Sequence, residues 1–337
     1  MKNKTEKKPQ KHIFGKILLV IAGALLLWLI SDICVTEIYA TKVPHRFASA
    51  EEGRALLLAN TDYYSQITQT DMDFRLGHGN ATLDELLERS TAEIKNFNII
   101  EKYIVDRHIA KMARKLAKNN YELPLPEKIT FVKTDMSVEI MTASGYTHGT
   151  EIYLNSINIA ISAIPGAGQY FEKLLWHELF HCLTRNNPGF RAQMYSLIHF
   201  TVADSDFELP PCVRERYLSN PDVEHHDSYA AFMIEGQKID CFLVWMATTD
   251  YSETQSGTEP DKIAVLVPID GADIYYTRDQ ASNFDEILGT NTDYVIDPEE
   301  CMADNFAYAM CYGTDGRDGQ GYPNPEIIIG VIDMVSR

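Results

Sequence analysis

Apolar residues run from position 17 to position 30 without one polar side chain. Looser edges extend the run over residues 13–35, broken only by Gly15, Lys16, Ser31 and Asp32. A helix needs about 20 such residues to cross a bilayer core, and Lys16 lies where a long stem reaches back to water. After this stretch the pattern becomes that of a folded domain. Residues 45–120 read as helical: Thr82-Leu83-Asp84-Glu85 has the form of a capping box. After it, Leu86, Ile94, Phe97, Ile100, Ile104 and Ile109 recur at helix-like spacing until Asn119-Asn120 and Pro124 stop the run.

The period then shortens. Residues 129–132, 138–141 and 150–155 read as strands, with residues 145–149 as a turn between the last two. A helix is expected over 170–184 and another over 191–202. Strand patterns return at 228–234, 239–246 and 263–269, the first two joined as a hairpin at Glu235-Gly236. Residues 281–288 are amphipathic, 298–312 form a strong helix, 313–321 a loop rich in Gly and Asp, and 325–335 a closing helix. The whole is an α+β pattern behind one apolar N-terminal helix.

Charge sharpens the reading of the N-terminus. Residues 1–16 carry six lysines against Glu6, so the chain's formal charge of -18 becomes -23 for the remainder. Lysines ahead of an apolar helix keep that end in the cytoplasm, which sends the rest of the chain outside. Ile38-Tyr39-Ala40 is a poor small-x-small cleavage site, so an uncleaved anchor is the expectation, with a secreted product if the segment is removed. The acidity of the remainder argues against nucleic acid as a partner. The six cysteines contain no CxxC; Cys182 and Cys301 read as buried thiols rather than as a disulfide framework.

The chemistry concentrates in His177-Glu178-Leu179-Phe180-His181. Helical positions i and i+4 lie over each other, so His177 and His181 converge on one ion. Glu178, about 100° round the helix, reaches a metal-bound water instead. Zinc suits neutral imidazoles and lowers the pKa of bound water. A third ligand is needed. Thr184 and Asn187 stand where a one-helix completion would need Gly and His. Glu300 is the main alternative: it shares a helix face with Asp304, which would accept the free imidazole N–H of His177. Capping also accounts for these acids, with Asp297 as N-cap, Pro298 at N1 and Glu300 at N3. Asp293 is a further candidate ligand. For the group that stabilises a developing oxyanion, His225, His226 and Tyr229 lie between the two motifs, with His226 and Tyr229 assigned to catalysis beside Glu178; Tyr146 and His148 are others. The 313–319 loop departs from the calcium-loop order at Arg317.

HELFH at 177–181 together with E-x-x-x-D at 300–304 resembles the gluzincin group of zinc metallopeptidases. The resemblance implies that Glu300 is the third zinc ligand, that Asp304 supports His177, and that Glu178 is the base. It implies a zincin-like fold, here with an added N-terminal helical region and a β-containing insert between the motifs. Glu300 lies 119 positions after His181, longer than in compact members. By the same analogy residues 150–155 would be the edge strand that pairs with substrate backbone. The expected organisation is a cytoplasmic basic segment (1–12), a signal-anchor (13–35), a helical region packing on the catalytic unit (36–120) and a peptidase domain (121–337). The expected activity is hydrolysis of extracytoplasmic proteins or peptides. The rival classes are an exported binding or cell-surface protein without turnover, and a zinc hydrolase of a non-peptide bond.

Overall fold

A computed structural model describes residues 10–138, 144–164, 166–249, 251 and 261–336. It opens on α1 (Gln10–Ala40), whose segment Lys16–Ala40 is long and apolar enough to cross a membrane or to serve as a signal sequence. The far end of α1 belongs to the fold. Asp32 accepts a hydrogen bond from the Tyr103 hydroxyl at 2.6 Å and pairs with Arg107 at 3.2 Å, while Thr36 and Ala40 are buried.

The next elements are β1 (His45–Phe47), α2 (Ala50–Ala59), α3 (Thr61–Gln66), α4 (Gln69–Leu76), α5 (Leu83–Ala92), β2 (Ile94–Lys95) and α6 (Ile99–Asn119). The helices begin where side chains replace the missing backbone partners: Thr82 accepts from the Glu85 amide, and Asn98 forms a full capping box with Glu101. Then come β3 (Ile129–Thr134), β4 (Gly145–His148), β5 (Glu151–Asn155), α7 (Ser156–Ser162) and α8 (Gly168–Asn186).

These strands build a mixed sheet in the order β1-β3-β5-β4, with β2 also paired to β3. The β1–β3 and β3–β5 pairs are parallel, and β4 is antiparallel to β5. Alternation sorts the side chains. Phe131, Ile152 and Leu154 face the core under α6 and α8, while Val132, Tyr146 and Tyr153 face α2 and its neighbours. Because β1 and β2 come from the N-terminal helical region, a boundary at residue 120 would cut this sheet.

Two sequence expectations change here. Residues 145–149 are not a turn: Gly145–His148 is the outermost strand. Residues 150–155 are therefore interior, paired on both sides, and the edge role passes to β4. Glycine and polar residues hide this strand because its pairing is set by partners outside its own sequence. The strand expected at 138–141 falls almost wholly outside the described residues.

After α8 come α9 (Pro188–Ser196), β6 (Thr201–Val202), α10 (Pro211–Arg214), β7 (Ser228–Ile234), β8 (Gln237–Ala247), β9 (Lys262–Pro268), β10 (Tyr276–Thr277), α11 (Phe284–Leu288), α12 (Pro298–Tyr312) and α13 (Pro325–Val335). The helix expected over 191–202 ends at Ser196, and its tail becomes β6. The insert is a second, antiparallel sheet in the order β10-β9-β8-β7-β6. Its β7–β8 turn takes Glu235 and Gly236 into the left-handed region, as a tight hairpin requires. One face, with Phe232 and Leu243, joins the main core; the other, with Phe242 and Val244, is covered by Val213 and Tyr217. Helices α8 and α12 pack along each other, Phe306 lying against Trp176 and Phe180. That contact brings two distant stretches of sequence to one place.

Candidate metal centre

Helix α8 supplies the two imidazoles, one turn apart and edge to face, with ring centroids 4.9 Å from each other. Helix α12 is capped by Asp297, whose Oδ1 accepts the Glu299 N–H at 2.8 Å. Pro298 follows at N1, where no N–H is needed. Asp297 therefore does the capping, and Glu300 is free to turn toward α8. Its Oε2 lies 3.0 Å from His177 Nε2 and 3.7 Å from His181 Nε2. One donor atom from each of the three falls within 4.8 Å of the others.

Carboxylates hold both rings from behind. Asp304 Oδ1 is 3.1 Å from His177 Nδ1, and Glu299 Oε1 is 2.9 Å from His181 Nδ1. With each Nδ1–H donated backward, both Nε2 atoms face the centre, where a metal would take their lone pairs. Thr184 and Tyr195 hydroxyls fix Glu299 in turn. Asp304 is fixed by Lys173 at 2.8 Å and by the Thr292 hydroxyl at 2.6 Å.

The fit to a metal can be tested on these atoms. His181 Nε2 is buried and has no hydrogen-bond partner, a costly state for an imidazole nitrogen unless something fills it. Glu178, Asp222, Glu299, Glu300 and Asp304 are all buried around the two rings, and of these Asp304 is paired with a lysine. A divalent cation would offset the charge of so many carboxylates brought together out of water. Burial pulls the proton affinity of His177 down, but Asp304 and Glu300 outweigh it and hold it well above the usual value. Two imidazole nitrogens and a carboxylate oxygen form a donor set suited to a first-row divalent ion such as zinc. A buried His177/His181/Glu300 cluster able to hold a metal ion is therefore present.

Glu178 sits beside this cluster. Its Oε2 accepts the Thr147 hydroxyl at 2.7 Å, and a Cβ on Gly145 would stand 2.8 Å from its Oε1. A glycine at 145 thus lets β4 approach the carboxylate. Burial first, and the neighbouring Asp222 second, push the Glu178 carboxyl up to about 7. Asp222, whose Oδ1 takes the Thr147 N–H at 2.6 Å, is pushed well above the ordinary carboxyl range by burial and by Glu300. The other Glu300 oxygen receives the Asn220 amide and the Tyr294 hydroxyl, the latter at 3.1 Å.

A cavity of about 360 Å³ opens over these groups, bordered by Gly145, His177, Glu178, Tyr294 and Glu300, with Phe74, Leu218 and Trp245 as an apolar wall. The outer edge of β4 is largely closed. Thr147 N–H is on Asp222, Thr147 C=O accepts from Arg185, and Gly149 N–H is on Glu224. Gly145 is the β4 residue left facing the cavity.

The structure unites His177, Glu178, His181, Glu300 and Asp304. It does not bring His226 or Tyr229 to them. His226 lies against Tyr217 and Phe242, its Nε2 3.1 Å from the Tyr217 hydroxyl, and burial pushes its ring down to about 4. Tyr229 is on β7 against Phe207. His225 is exposed and pairs with Asp206; Asp293 is exposed; Tyr146 and His148 are buried in the sheet's own core. Asp315 and Asp318 face solvent. All six cysteines are free thiols. The residues the sequence did not reveal are Thr147, Lys173, Asn220, Asp222, Tyr294 and Glu299. Only Glu299 carried a signal, as an acid beside Glu300 in the same helix turn.

No protein-family model, no curated protein and no solved structure matches this chain.

Proposed function

We propose that the chain is a zinc-dependent peptidase of the gluzincin type, held by α1 with its cleft on the extracytoplasmic side. The observation that carries this reading is the convergence of His177 and His181 from one helix with Glu300 from another, with Asp304 behind His177. Capping alone would not turn Glu300 toward α8. A zincin-like arrangement is further supported by the antiparallel edge strand β4 running beside the HELFH helix.

Bound zinc would be held by His177 Nε2, His181 Nε2 and a Glu300 oxygen, and would supply Lewis acidity and a water of lowered pKa. The chain's own groups do the rest. Glu178 takes the water's proton on Oε1 while Thr147 steadies Oε2, and then passes it to the leaving amine. Tyr294, at the centre where His226 and Tyr229 are not, donates to the developing oxyanion. The apolar wall of Phe74, Leu218 and Trp245 receives a side chain next to the scissile bond.

A second reading is hydrolysis of a short or non-peptide amide. It is favoured by the closed edge of β4, which leaves little backbone for a long peptide to pair with. The test uses the full chain in detergent. Zinc content is measured for wild type, His177→Ala and Glu300→Ala, and cleavage of a broad peptide library for wild type and Glu178→Gln. Loss of zinc in both alanine variants and loss of cleavage in Glu178→Gln are expected. Zinc held as tightly in Glu300→Ala as in wild type would sink the assignment, and absence of peptide cleavage by zinc-loaded wild type would shift it to the second reading.

A further inference from the structure

The segment Ser219-Asn220-Pro221-Asp222 crosses the metal centre and is fastened along its length. Ser219 is tied to the buried Asp71–Arg75 pair of α4, which takes its N–H and donates to its carbonyl. Asn220 donates to Glu300 Oε1, and its own Oδ1 receives the Asp222 N–H at 3.0 Å. Pro221 C=O accepts from Arg185 at 2.9 Å. The segment that fixes the third ligand therefore also presents Asp222 to the same place.

Resting on the zinc reading above, we propose that Asp222 is a fourth protein ligand, so that the resting centre is closed by two imidazoles and two carboxylates. Its Oδ1 lies 4.0 Å from His181 Nε2, the buried nitrogen without a hydrogen-bond partner. Donors on one tetrahedral zinc at about 2.0–2.2 Å stand roughly 3.4 Å apart. The observed separations of 3.0, 3.7 and 4.0 Å among His177–Glu300, His181–Glu300 and His181–Asp222 bracket that value. Asp222 is grouped with His181 and Glu178 rather than with His177 and Glu300, so its carboxylate completes the set only when the Ser219–Asp222 segment moves inward onto the ion. Two carboxylates also balance a divalent charge in a site where buried charge must be compensated.

Glu178, His181 and Asp222 form a second group of donor atoms within 4.8 Å. His181 Nε2 lies beside both groups and has one lone pair, so the two groups cannot each hold an ion of their own. Asp222 then occupies the position that a catalytic zinc site keeps for water or substrate. Turnover requires this carboxylate to yield, which makes the Ser219–Asp222 segment a determinant of how readily the site opens.

The test replaces zinc with cobalt in the full chain. In Asp222→Cys, a thiolate at 222 on the metal gives a near-ultraviolet thiolate-to-cobalt charge-transfer band that wild type lacks; metal–sulfur bonds near 2.3 Å make up for the shorter side chain. In Asp222→Asn, which retains an oxygen for the Thr147 N–H, zinc affinity by chelator competition falls at least tenfold and the visible cobalt spectrum changes. One-to-one cobalt binding by Asp222→Cys without the band would overturn the proposal, as would an Asp222→Asn spectrum superimposable on wild type. Wild type that binds neither metal would instead overturn the zinc reading itself. Melting of the metal-stripped variants separates ligand loss from misfolding.

Discussion

Replacing Glu178 by Gln should stabilise the metal-free protein, and by a pH-dependent amount. The carboxyl is buried and its pKa stands at about 7 against an ordinary 4.5. An unfolded glutamate releases its proton at about 4.5, while the folded one keeps it to about 7. Across that interval the folded state binds more protons than the unfolded one, so stability falls as pH rises. A shift of this size, at 1.36 kcal/mol per unit, corresponds to about 3 kcal/mol once both states are ionised. Glutamine keeps an acceptor for the Thr147 hydroxyl but has no charge to bury. Below pH 4.5 wild type and Glu178→Gln should unfold alike; at pH 8 the variant should be more stable by about 3 kcal/mol, a shift of several degrees in Tm. The assay is denaturant and thermal unfolding of chelator-stripped protein in detergent between pH 4 and 8. A gap that stays flat over this range, or that favours wild type at pH 8, refutes the reasoning. Zinc should narrow the gap, because its charge favours the carboxylate.

Glu299→Gln removes the charge behind His181, and the remaining amide oxygen must serve the His181 Nδ1–H, Thr184 and Tyr195 donors; zinc affinity measured by chelator competition should fall about 10–100-fold. Gly145→Ala places a methyl 2.8 Å from Glu178 Oε1. Its cost is steric rather than conformational, since Gly145 is not among the described residues with positive φ. The expected result is at least a tenfold loss in kcat/KM with zinc content unchanged; a parallel loss of zinc would mean that the glycine supports the whole site.

What the sequence revealed is what helix periodicity encodes. His177, His181, Glu300 and Asp304 are related by i, i+4 spacing within two helices, so each pair could be placed on one face before any tertiary contact was known. The bounds of α12 and α13 followed from Asp297-Pro298 and Pro325. What it hid depends on contacts between distant segments. Strand β4 is defined by pairing with β5 and by proximity to Glu178, and its Gly145 and Thr147 resemble a turn when read locally. Asn220 and Asp222 sit in an aperiodic strap whose position is set by α4 and Arg185. His226 and Tyr229 were chosen for lying between the two motifs, whereas the hydroxyl at the centre is Tyr294, in the loop that leads into α12. Glu299 shows the limit from the other side: adjacent acids at a helix start read as capping until the partner helix shows where each one points.

The join between α1 and the fold has a mechanical consequence. Asp32, two residues past the unbroken apolar run, is already bonded to α6. Two helical residues rise about 3 Å, so there is no spacer on which the domain could swing. With α1 in a bilayer, the cavity would have a fixed standoff and heading relative to the lipid surface. Its search space would then be a thin shell along the membrane, and under the proposed peptidase activity the accessible scissile bonds would be those presented at that one height.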